Sequence, residues 1–243
     1  MSKKVINQNT NYDSELLDSI GSKFIFDENP INRLENTTSN LNEGSIDKSN
    51  NKEKELNELK TQINSIEDCN LKKNSGRIVL GDGNINSSIM LIGETPGAEE
   101  DKTGLTFMGE IGVLLKKMLI AINIKKENIY STYAVNFRPP VDRKPTSSEI
   151  KRYSQFLQKH ISIIKPKIII LMGSTAMESL TGLNNKISIE RGKWKEVIIQ
   201  NTTYNIIITF NPSYLLRVPE NKKHSWDDLK KIKQKIIELK LNV

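Results

Sequence analysis

The chain has 243 residues, 36% of them hydrophobic, with 36 Lys+Arg against 29 Asp+Glu and a formal net charge of +7. That is enough apolar material for one core of ordinary size, and no apolar run approaches the roughly 20 residues needed to span a membrane. A single cysteine, Cys69, excludes an internal disulfide and suits a reducing cytoplasm, and the polar stretch from Met1 to Thr10 lacks the apolar centre of a signal peptide.

Charge divides the chain in two. Residues 1–50 hold 5 Lys+Arg and 8 Asp+Glu, net −3, which leaves +10 on residues 51–243. A basic body behind an acidic leader suits a polyanion-binding domain. The leader is rich in Asn, Ser, Asp and Glu and reads as a mostly disordered segment. Within it, Leu16-Leu17 to Phe24-Ile25-Phe26 could form one helical turn or a docking segment. The domain, residues 51–243, begins where Leu56, Leu59, Ile63 and Ile66 recur at helical spacing. Strands are predicted at Ile78–Leu80, Ile89–Ile92, Tyr130–Val135, Lys167–Met172, Val197–Gln200 and Tyr204–Phe210. Helices are predicted at Glu110–Ile122, Ser147–Ile164, Thr175–Leu180 and Lys222–Leu241, the second with a capped start at Ser147 after Pro145. This alternation predicts a three-layer α/β/α sandwich with a central, mainly parallel sheet.

The densest chemistry lies at Gly93-Glu94-Thr95-Pro96-Gly97-Ala98-Glu99-Glu100-Asp101, closed by Phe107-Met108-Gly109. It follows the apolar run Ile89–Ile92 and precedes an amphipathic one, so it reads as strand, turn, helix. Gly and Pro stand where backbone must bend or approach a ligand. Four carboxylates sit just past a buried strand, where open α/β sheets bind ligands.

This stretch resembles the first motif of the family 4 uracil-DNA glycosylases, members of the uracil-DNA glycosylase superfamily. Arg138-Pro139-Pro140 with Arg143, Pro145 and Thr146 is similar to the family's middle loop, and Pro166–Gly173 to its next core strand. Arg191-Gly192-Lys193-Trp194 and Phe210-Asn211-Pro212-Ser213-Tyr214-Leu215-Leu216-Arg217 are similar to its closing elements. The match runs in order from about Cys69 to about Leu239.

The resemblance implies hydrolysis of the N-glycosidic bond of uracil, or a related deaminated base, in DNA; the protein is expected to be cytoplasmic and monomeric. Such chemistry needs an oriented water and stabilisation of the charge building on the departing base. Glu94, directly after the strand, is the first candidate to hold the water, with Glu100 the second. The ring of Phe107 would stack on the extruded base, and the backbone beside Thr95 and Gly97 would donate N–H groups to it. Pro212 and Ser213 would shape a loop on the DNA minor groove, with Leu215 or Leu216 as the wedge filling the flipped base's space. Arg138, Arg143, Arg217, Lys102, Lys222 and Lys223 are candidate phosphate contacts.

Three positions depart from the family pattern. Asn211 stands where the family carries a histidine that donates to the base; an amide also donates, without the charge. Tyr133 stands where an asparagine reads the uracil edge, and a phenol is larger and not bidentate. The family holds a [4Fe–4S] cluster through four cysteines; here Cys69 is the sole remaining ligand, with Ile66, Phe137 and Tyr153 at the other positions. No cluster or other cofactor is expected. Two readings stand at this point: a DNA glycosylase, and a DNA-binding relative that keeps the fold and groove without the chemistry.

Overall fold

The structure is a computed structural model, and it describes residues 43–67 and 69–242, with side chains from residue 51 onward. The Leu16–Phe26 patch and most of the acidic leader lie outside these residues. Helix α1 (Glu43–Asn64) begins inside the stretch read from sequence as disordered, so residues 43–50 are its first turns. None of the described helices is long and apolar enough to cross a membrane.

Six strands form one sheet: β1 (Gly81–Gly83), β2 (Ile89–Gly93), β3 (Tyr130–Tyr133), β4 (Ile168–Met172), β5 (Trp194–Ile199) and β6 (Thr202–Thr209). Their order is β1-β3-β2-β4-β6-β5. The four central strands are parallel, in register Met90↔Tyr130, Met90↔Ile169 and Ile169↔Ile206. The two edges, β1 on β3 and β5 on β6, run antiparallel.

Alternation along the buried strands sorts side chains into two cores. Met90, Ile92, Ile169, Leu171, Ile206 and Ile208 face one side, against Leu56, Leu59 and Ile63 of α1 and against α5 (Ser147–Ile164). Ile89, Leu91, Ile168, Ile170 and Ile207 face the other, against α4 (Gly109–Ala121) and α9 (Lys222–Glu238). Two covered faces explain why these strands read as continuous apolar runs. The result is the three-layer arrangement that the alternation predicted.

Most elements fall where sequence put them, α5 at both ends. Its N-cap is Thr146, whose hydroxyl accepts the Glu149 N–H at 3.3 Å while Glu149 accepts the Thr146 N–H at 2.8 Å, a reciprocal cap. The first strand differs. Residues 78–80 meet the chain beyond the end of β3, where Val79 N–H donates to the Asn136 carbonyl at 2.9 Å. The ladder forms one step later at Gly81–Gly83. A Cβ at Gly81 would lie 2.7 Å from the Ser131 carbonyl, so that close approach needs glycine. Short helices appear that the sequence reading passed over: α2 (Asn70–Asn74), α3 (Ala98–Thr103), α7 (Ile187–Glu190) and α8 (Pro212–Arg217). Helix α6 (Ser174–Thr181) follows β4.

Candidate active site

The carboxyl ends of the four parallel strands meet at one edge of the sheet, each carrying a candidate residue. Tyr133 ends β3, Glu94 follows β2, Gly173-Ser174-Thr175 follow β4, and Phe210-Asn211 follow β6. Strand order reverses between β2 and β4, and ligands of open α/β sheets bind at such a switch point. A cleft of about 860 Å³ opens there, lined by Glu94, Thr95, Phe107, Tyr133, Thr175 and Asn211 among others.

Glu94 spans that switch point. Its Oε1 accepts the Thr175 N–H at 3.0 Å and the Ser174 hydroxyl at 3.2 Å; its Oε2 accepts the Asn211 amide at 3.2 Å. The first two come from the N-terminus of α6, where unpaired N–H groups favour an anion. An ionised carboxylate offers about four acceptor sites. Three donors leave one for a water. Gly173 (φ 106°) makes the approach possible, since a Cβ there would lie 2.3 Å from the Glu94 carboxyl carbon. Gly173, Ser174 and Thr175 were not singled out from sequence. The available signal was a Gly-Ser-Thr run at the end of a buried strand, a helix-start pattern.

Glu100 is differently employed. It is 3% exposed, and its two oxygens accept the Gly97 N–H at 3.0 Å and the Met108 N–H at 2.9 Å. It ties the two ends of the motif loop together, so its carboxylate is spent on the loop, whereas Glu94 is held across the ends of the strands at the cleft. The Gly97 N–H is thereby consumed, while that of Thr95 has no partner among the described residues. Asp101 holds the same loop from outside, accepting from the Ser75 hydroxyl and the Gly76 and Arg77 N–H groups. Burial pushes its carboxyl up, but those hydrogen bonds outweigh burial and keep it below the usual carboxylate range.

Tyr133 and Phe107 form the floor. Their ring centroids lie 5.2 Å apart, and the Tyr133 hydroxyl accepts the Phe107 N–H at 2.9 Å, which fixes Phe107 in a left-handed conformation (φ 50°). Burial, then the nearby Glu100 charge, pushes the Tyr133 phenol well above its ordinary value. Both rings close on Gly93, where a Cβ would lie 2.6 Å from Tyr133 Cε1 and 3.0 Å from Phe107 Cζ.

The closing motif is helical rather than a loop. Asn211 caps α8 by accepting the Ser213 N–H at 3.0 Å, and Pro212 takes the first helical position. Pro212 and Leu215 are buried. Leu215, 1% exposed, packs in the core against the α4 face of the sheet, so neither can press on DNA as sequence suggested. Leu216, at 36%, and Arg217 remain at the cleft. Arg138 and Arg143 are engaged within the protein, in bidentate pairs with Asp142 (2.7 and 2.9 Å) and Glu149 (2.9 and 2.7 Å). Arg217, Lys102, Lys222 and Lys223 carry no ion pair among the described residues.

The four cluster-ligand positions share one core region. Cys69 Sγ lies 3.2 Å from the Tyr153 hydroxyl, the Phe137 and Tyr153 rings meet edge-on at 6.3 Å, and Ile66 packs against the same core. A [4Fe–4S] cluster needs four side-chain donors, thiolates by preference. Ile66 and Phe137 offer none, so the residues present do not fit that group.

The family model for the uracil DNA glycosylase superfamily matches residues 80–230. The chain belongs to that superfamily. It is 38% identical over 154 residues to a type-4 uracil-DNA glycosylase of Thermotoga maritima, covering 63% of this chain and 79% of the relative. The type-4 enzyme of Archaeoglobus fulgidus is 32% identical over 181 residues, 73% of this chain and 91% of its own. That of Sulfurisphaera tokodaii is 32% identical over 191 residues, 74% and 84% respectively. In this superfamily member, the aligned region holds Glu94, Phe107, Tyr133 and Asn211.

Proposed function

We propose that the protein is a hydrolytic DNA glycosylase of repair, which removes uracil or a related deaminated base from DNA. The observation that carries this reading is Glu94: a carboxylate fixed by three donors at the strand switch point, lining an open cleft, with acceptor capacity left for a water. A water held there adds to the sugar carbon as the bond to the base breaks. The base leaves with the bonding electron pair, and the proton of the water passes toward Glu94. The fixed negative charge also offsets the positive charge that develops on the sugar.

Phe107 stacks on the flipped base, and the free Thr95 N–H donates to its edge. Asn211 has two amide hydrogens. One holds Glu94; the other is only loosely engaged, with Nδ2 3.5 Å from the Met172 carbonyl, and is left to donate to a base oxygen. Asn211 therefore both positions the carboxylate and donates to the leaving group. Tyr133 supports Phe107 instead of reading the base edge with an amide. Leu216 and Arg217 face the DNA at the cleft mouth. The protein works as a single copy, and packing of Ile66, Phe137 and Tyr153 around Cys69 takes the place of the iron–sulfur cluster.

The test is excision from labelled oligonucleotides carrying uracil, hypoxanthine or xanthine. Wild type releases at least one of these bases. Glu94→Gln keeps the fold and DNA affinity but lowers excision by about 10²–10⁴-fold, the usual contribution of a positioned general base. Wild type that binds DNA yet releases none of the three would overturn this reading in favour of the non-catalytic DNA-binding one.

A further inference from the structure

The loop between Pro139 and Pro145 holds a backbone that its sequence does not favour. Val141 (φ 55°, ψ 29°) and Asp142 (φ 52°) are both left-handed, and the Arg143 N–H donates to the Pro140 carbonyl at 3.2 Å. A tight turn with two left-handed central residues is ordinarily built from Asn and Gly. A β-branched residue there is an outlier, and such conformations persist only where the surroundings over-determine them.

The surroundings do so here. Pro139 and Pro145, the feet of the loop, are buried. Arg138 grips Asp142 with two hydrogen bonds, and Arg143 grips Glu149 with two more. Glu149 is itself fixed by the Thr146 N–H. All of this holds out a tip with no packing role: Val141 is 97% exposed. Asn or Gly would fill the turn with less strain and no apolar surface in water, so stability does not account for valine. Asp142, Arg143, Lys144 and Pro145 line the same cleft as Glu94 and the exposed Leu216.

We infer that Val141 is a second apolar wedge, which enters duplex DNA beside the flipped nucleotide. This rests on the glycosylase reading above. Flipping a base leaves a gap in the stack, and apolar side chains fill such gaps. A tip already rigid in the free protein has little freedom left to lose on insertion. The two arginines of the loop, neutralised by their carboxylate partners, serve as struts for that tip.

Val141→Gly tests this without threatening the fold, because glycine adopts the left-handed conformation freely; its Tm is equal to or above that of wild type. In the excision assay the variant lowers the ratio of duplex to single-strand rates by about tenfold, the scale of losing one apolar contact. In a Glu94→Gln background, where chemistry is blocked, the fluorescence rise of 2-aminopurine placed next to uracil in a duplex is reduced by Val141→Gly. An unchanged rate ratio, or an unchanged 2-aminopurine signal, overturns the wedge. Wild type that excises nothing overturns the glycosylase reading instead, and the 2-aminopurine measurement still decides the wedge.

Discussion

Gly173 lacks a side chain, and the Glu94 carboxylate occupies the space one would fill. A Cβ at this position would lie 2.3 Å from the Glu94 carboxyl carbon and 2.6 Å from Oε2. The backbone is left-handed there (φ 106°), so alanine is strained as well as crowded. Gly173→Ala therefore displaces Glu94 from the Thr175 N–H. Excision should fall by about 10²-fold or more, since about 1 Å of misplacement can cost that much, while DNA affinity is retained. Rates within threefold of wild type would show that the position of Glu94 is not critical. Tyr133 shows the same economy of space: its hydroxyl is spent on the Phe107 N–H, and its ring lies on Gly93. Tyr133, a departure from the family pattern, thus has a structural task.

At the scale of elements, α9 is fastened to the sheet by a buried ion pair. Asp228, 0% exposed, receives two hydrogen bonds from Arg191 (3.0 and 2.6 Å) and one from the Thr209 hydroxyl (2.8 Å). Burial pushes its carboxyl up, and the Thr209 bond and Arg191 charge pull it back down without cancelling the rise. Arg191 also lies over the Phe210 ring at 5.6 Å. Gly192 (φ 70°) leaves room for the carboxylate, which a Cβ would meet at 2.4 Å. Removing one partner of such a pair strands the other, at a cost of about 3–5 kcal/mol. Asp228→Ala should lower the urea midpoint accordingly. Asp228→Asn, which keeps hydrogen bonding to Thr209, should lower it less. Equal midpoints for the two variants would show that the hydrogen bond to Thr209 adds nothing and that the lost charge accounts for the whole effect.

At the scale of the whole molecule, a buried imidazole makes stability depend on pH above the carboxylate range. His160 is 2% exposed, its Nε2 lies 2.9 Å from the Tyr130 hydroxyl, and burial pushes its pKa down to about 3. Unfolded, it titrates near 6.5. Between these values the unfolded chain binds a proton that the folded one refuses, so stability is complete above about pH 6.5 and is lost as pH falls toward 3. One proton corresponds to at most about 1.4 kcal/mol per pH unit. Tm should decline between pH 6.5 and 5, above the carboxylate range. His160→Gln, which retains a partner for Tyr130, should flatten that decline. Identical pH profiles for the two proteins would assign the acid sensitivity elsewhere.

Local chemistry made the framework legible. The apolar run Ile89–Ile92 requires burial on both faces, and Thr146 with Glu149 starts α5 whatever it packs on. The order of strands and helices implied a parallel sheet with its ligand edge after β2, where four carboxylates stand; the place of Glu94 directly after the strand and the family resemblance singled it out. The start of α8 was also written locally, as Asn211-Pro212, although it was read as a loop. Tertiary structure decided the rest. Nothing in Leu215-Leu216 says which leucine is buried until α8 lies on the sheet. Ser174 and Thr175 stand 80 and 81 residues from the carboxylate they hold, and Asn211 stands 117 away. Hydrophobic periodicity and helix caps act over a few residues and are therefore visible in a sequence. The donors around Glu94 are brought together only when parallel pairing sets the ends of β2, β4 and β6 side by side.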